Sequence, residues 1–85
     1  SGSLAECLNQ FFLECHHTRY IVEKAHQNLT VDDISRFKEE CLLGVSAGLE
    51  VLGRLLYHTY VQEDNYFNQT KISQLAQLDW SRENE

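Results

Sequence analysis

Leu4, Leu8, Phe11, Phe12, Cys15, Val22 and Ala25 recur at helical intervals and form one apolar stripe, while Gln10, Glu14, His17 and Glu23 fall largely off it. The spacing predicts one amphipathic helix over residues 4–26, about six turns long. Ser3 followed by Glu6 matches a capping box at its start. The pattern breaks at Gln27-Asn28-Leu29. Asn28 suits the left-handed conformation that ends helices. Thr30 offers a cap for the next helix, with Asp32 and Asp33 in its first turn, where the helix dipole favours negative charge. So short a link predicts that the first two helices form an antiparallel hairpin.

A second stripe runs through Ile34, Phe37, Cys41, Val45, Leu49, Leu52, Leu56 and Tyr60. It predicts a helix over residues 31–60, about 45 Å long. Between Cys41 and Tyr57 this segment is apolar nearly all round, as in a helix contacted from several sides. The first helix is too short to cover it, so the pattern predicts self-association into a two-fold bundle. Gly44, Gly48 and Gly53 sit inside the pattern, each costing up to ~1 kcal/mol relative to Ala. Gly44 and Gly48 are four apart and share a face. With Leu52 and Leu55 they make a candidate packing groove, for an approach within the chain or across a dimer. Residues 62–70 read as a loop anchored by Tyr66 and Phe67. A short third helix over residues 71–78 follows, with Thr70 as its cap, and Asp79-Trp80-Ser81-Arg82 closes the pattern.

The fold class expected is therefore all-α: two long antiparallel helices and a short third, in one domain over residues 4–85. Ser1-Gly2-Ser3 reads as a vector-derived leader, and the ends together suggest a piece of a longer protein. The 85 residues are near the size where one core is barely sufficient, which also favours association.

Charge narrows the partners. Seven basic against thirteen acidic residues give a net charge of −6, which argues against a free-standing binder of phosphate backbones. DNA would be reached only through an intact parent protein. No apolar run is long enough to span a membrane. Cys7, Cys15 and Cys41 are an odd count without framework spacing, so they read as buried apolar residues in a reducing cytoplasm.

Chemistry is sparse. Cys15, His16 and His17 are the densest set of ligand-type side chains, but neighbours on a helix point about 100° apart and cannot chelate one ion together. The expectation is no metal, no cofactor and no catalytic residue; the histidines read as solvated surface groups. Arg54 reads as a partner of Glu50 or Asp79, with phosphate contact as the alternative. In the closing tetrad, Asp79 or Ser81 can cap a turn, Trp80 can bury its ring and Arg82 can make a bidentate contact. The plain reading is a packed corner.

Two segments resemble a known family. Gly48-Leu49-Glu50-Val51-Leu52-Gly53-Arg54 on a helix, then Leu75-Ala76-Gln77-Leu78-Asp79-Trp80-Ser81-Arg82, are similar in order and spacing to the C-terminal region of the DGQHR-domain family, which includes DndB-type DNA sulfur modification proteins. Gly53, Arg54, Asp79, Trp80, Ser81 and Arg82 carry the resemblance. Val51 and Leu78 stand where the family favours Ala and Ile. The family's histidine-containing stretch is not matched at residues 41–45, nor is the DGQHR segment present. The resemblance covers residues 35–85. It implies a cytoplasmic, non-catalytic helical module linked to DNA phosphorothioation and to regulation of the modification genes. The competing readings are a helical oligomerisation or adaptor module with no nucleic-acid role, and an enzyme fragment.

Overall fold

The computed structural model describes residues 3–84. They form five α-helices: α1 (Leu4–Glu14), α2 (His16–Ala25), α3 (Val31–Glu40), α4 (Ser46–Gln62) and α5 (Gln69–Ala76), with 3-10 turns at Leu42–Gly44 and Arg82–Asn84. The all-α class holds, but the two long helices do not. Each is broken near its middle, and both breaks fall on a cysteine in extended conformation, Cys15 (φ −76°, ψ 117°) and Cys41 (φ −121°, ψ 131°). Neither break falls on a proline or a glycine.

The first break is closed by Thr18. The Phe12 carbonyl, which in an unbroken helix would take the His16 N–H, accepts the buried Thr18 hydroxyl at 2.8 Å. The Cys15 carbonyl accepts the N–H groups of Thr18 and Arg19, which starts α2 in a new direction. A buried carbonyl left without a donor would be destabilising, so a hydroxyl at this position makes the bend tolerable.

The second break removes the premise of an unbroken rod longer than its neighbour. After Cys41 the chain makes a 3-10 turn, and α4 begins only at Ser46. Gly48 allows this fold-back. A Cβ built there would lie 1.8 Å from the Leu42 carbonyl oxygen, and one on Gly44 would lie 2.8 Å from the Lys38 Cα. The close approach expected at these glycines is made by the chain's own backbone. Leu52 is buried in the core and Leu55 is half-buried against it. The four candidate groove residues are thus occupied within one molecule rather than presented to a second.

The remaining caps show local chemistry deciding the boundaries. Ser3 Oγ accepts the Glu6 N–H at 3.1 Å; Ser1 and Gly2, the rest of the expected leader, lie outside the described residues. Thr30 and Asp33 form a reciprocal capping box, each side chain accepting the other's backbone N–H at 3.1 Å. Asn28 is not left-handed; the positive-φ residues are Asp64 and Asn65, which end α4 instead. The third helix starts two residues earlier than the pattern suggested and ends two earlier, because Asn68, not Thr70, caps it by accepting the Lys71 N–H. Phe67 does anchor the preceding loop, its ring 4.6 Å from that of Tyr60, while Tyr66 stays exposed.

The core joins Cys7, Phe11 and Cys15 from the first half to Cys41, Leu43, Leu52 and Leu56 from the second, and to Ile72, Ala76 and Trp80 near the end. α5 lies against α1, where Gln10 donates to the Gln69 carbonyl and Ser73 donates to Glu14. The molecule is flat, 41 × 29 × 18 Å. Its thin dimension is less than two helix diameters of about 10–12 Å, so several helices keep an apolar face toward solvent.

Candidate functional site

Residues 79–82 meet both halves of the fold. Trp80 is buried; its indole N–H donates to the Leu75 carbonyl at 3.0 Å, and its ring meets Phe11 edge-on at 5.7 Å between centroids. Its carbonyl accepts the Leu42 N–H at 2.7 Å, and Ser81 pairs with Cys41 in an isolated antiparallel bridge. The Arg82 guanidinium donates to the Lys38 carbonyl at 3.0 Å. The tetrad therefore occupies the gap between α3 and the 3-10 turn, meeting backbone groups that the broken helix leaves open.

Beside it lies a cleft of about 400 Å³ lined by His17, Glu39, Glu40, Ser81, Arg82 and Glu83. His17 Nε2 approaches Asp79 Oδ1 to 3.5 Å. Burial and the neighbouring His16 outweigh Asp79 and hold His17 below the usual histidine range. The two imidazoles lie 3.9 Å apart, tilted by 36°. Asp79 is held below the ordinary carboxylate range by the Ser81 backbone N–H and then by the Ser81 side chain. Serine, histidine and aspartate thus converge, but serine meets the carboxylate through its backbone N–H, which donates to Asp79 Oδ1 at 3.0 Å. A nucleophilic serine needs the base at its hydroxyl. This arrangement is an Asx-type turn.

The other sequence candidates separate. Arg54 pairs with Glu50 at 2.7 Å on the exposed side of α4, far from any role at the tetrad. Gly53 is exposed, and a Cβ there would meet nothing within 4 Å. Among the described residues no group of three or more His, Cys, Asp or Glu side chains is placed to hold a metal ion. All three cysteines are free thiols and buried; burial pushes Cys7 and Cys41 up in pKa. No helix among the described residues is long and apolar enough to cross a membrane.

Sequence reasoning missed two features. One is Thr18, whose hydroxyl is buried although nothing in the periodicity sets it apart from the exposed polar residues beside it. The other is an apolar groove of about 610 Å³ between α1 and α4, lined by Leu4, Leu8, Gly53, Leu56, Tyr57, Tyr60 and Phe67.

The chain matches the DndB family, DNA-sulfur modification-associated, over residues 2–85, and it belongs to that family. The match extends well beyond the segment in which the motifs are recognisable by eye. No curated protein and no solved structure matches the chain significantly.

Proposed function

We propose that the chain is a non-catalytic helical module through which a DndB-family protein takes part in regulating DNA sulfur modification. The observation that carries this reading is the role of the tetrad. Within the tetrad two residues are engaged in architecture: Trp80 fills the core, and Trp80 and Arg82 serve the backbone on either side of the helix break. A net charge of −6 makes contact with DNA the task of other parts of the parent protein.

Replacing Trp80 by Ala in the parent protein inside cells tests the reading. Transcripts of the modification genes and phosphorothioate content of genomic DNA are measured together. The regulatory role predicts altered transcripts, with phosphorothioate following them. Loss of phosphorothioate at unchanged transcript levels would instead assign the module to the modification chemistry. No change in either would favour an adaptor without a nucleic-acid role.

A second reading, protein association, is favoured by the exposed apolar face of α4, where Tyr57 keeps 70% of its surface accessible.

A further inference from the structure

Leu49, Gly53, Tyr57 and Val61 recur every four residues along the outer face of α4, and all four are exposed. Gly53 has no reason inside the molecule: nothing lies within 4 Å of where its Cβ would be, unlike Gly44 and Gly48. A glycine in an exposed helix interior costs up to ~1 kcal/mol relative to Ala. It is useful where a second helix crosses closely, because interaxial distances shorten when the contact residues are small.

The surroundings of Gly53 specify the partner. At about 100° per residue, Leu49, Leu56 and Tyr60 fall on one side of the line through Gly53 and Tyr57. Glu50, Arg54 and Val61 fall on the other. We infer that a second copy of this chain packs its α4 antiparallel across this face, with the two-fold axis at Gly53.

Three relationships lead to this occupant. The two-fold operation keeps each side of the helix on its own side and reverses its direction. Leu49 lies about 6 Å before Gly53 along the axis, so it arrives about 6 Å after Gly53 on the facing molecule. That is the position of the groove lined by Leu4, Leu8, Gly53, Leu56, Tyr57 and Tyr60. Leu49 is a half-exposed apolar knob, and the groove is the matching hole. On the other side, Glu50 of each copy faces the partner's Arg54. The exposed pair within one helix, 2.7 Å apart, becomes a four-charge cluster of alternating sign. A parallel two-fold would exchange the sides and set Glu50 against the partner's apolar flank, leaving its charge without an opposite partner across the contact. Knob, hole and charges are thus self-complementary under one axis, as an isologous contact requires. One helix crossing with flanking α1 contacts is smaller than a standard interface of about 800 Å² per partner, so the dimer is weak and concentration-dependent. The inference is independent of the regulatory reading.

Sedimentation equilibrium over a wide concentration range tests it. The weight-average mass should rise from 9.9 kDa toward twice that value. Gly53→Leu should hold it at the monomer mass while circular dichroism stays unchanged, since the position is exposed and a Cβ there meets nothing within 4 Å in its own molecule. Glu50→Arg and Arg54→Glu should each be monomeric alone. An equimolar mixture of the two should dimerise, because only the heterodimer opposes unlike charges at both positions. A wild-type mass fixed at 9.9 kDa at every concentration would overturn the inference. So would a dimer indifferent to Gly53→Leu, or single charge variants that mix without associating.

Discussion

Lys38 and Leu42 stand four residues apart, and in a continuous helix the Leu42 N–H would donate to the Lys38 carbonyl. Here each half of that bond goes to the tetrad: Leu42 donates to the Trp80 carbonyl at 2.7 Å, and the Lys38 carbonyl accepts from Arg82 at 3.0 Å. A segment forty residues away in sequence thus supplies both replacements for one missing helical hydrogen bond.

Trp80 is the largest element of this clasp. Trp80→Ala should lower the unfolding free energy by about 3–5 kcal/mol, the usual range for emptying a buried aromatic site. Urea unfolding followed by far-ultraviolet circular dichroism measures it. Arg82→Ala should cost less, about 1.5–3 kcal/mol, because it removes the charge-assisted hydrogen bond to the Lys38 carbonyl.

The glycines of α4 should respond in opposite directions. Gly48→Ala forces a Cβ onto the Leu42 carbonyl and should destabilise by at least about 3 kcal/mol. Gly53→Ala meets open space and should stabilise the monomer by up to about 1 kcal/mol. Thermal melts of the two variants at low protein concentration read the contrast.

Much of this was legible in the sequence, and the exceptions share a cause. The helical class, the Thr30 cap and the Arg54 pairing follow from local signals of period and spacing. The breaks at Cys15 and Cys41 do not, because both lie on uninterrupted apolar stripes. What breaks the helix there is distant or inconspicuous: the Thr18 hydroxyl in one case, Trp80 and Arg82 in the other. Periodicity reports which face is buried, but not which donor a carbonyl finds. The glycine spacing correctly signalled a close backbone approach, but not that the approaching backbone was the neighbouring turn. The apolar groove was hidden for the same reason, since it exists only once α1 and α4 are set side by side.

Acid should erode the α2–α3 junction. Asp33 accepts the Thr30 N–H and a 3.1 Å contact from Lys24, which hold its carboxyl below the ordinary range. A carboxylate with a lowered folded pKa adds stability that is fully present above its unfolded value of about 3.9. That stability is lost as pH falls through the folded value. Urea midpoints measured through the acid range should fall less steeply for Asp33→Asn than for the unaltered chain.

The thiols should be silent in the folded state. Cys7, Cys15 and Cys41 are each at most 4% exposed, and burial raises Cys7 and Cys41. Thiolate, the reactive form, is therefore scarce as well as shielded. A colorimetric thiol reagent should titrate no cysteine rapidly in native buffer and all three in denaturant.

Amide hydrogen exchange at Leu42 tests the clasp most directly. Its N–H lies outside any α-helix, yet it is held by the Trp80 carbonyl. The account predicts exchange as slow as that of core amides in α4, set by global unfolding. Exchange as fast as in the loop at residues 66–68 would mean that the tetrad does not join the two halves of the fold, and the architectural reading would be contradicted.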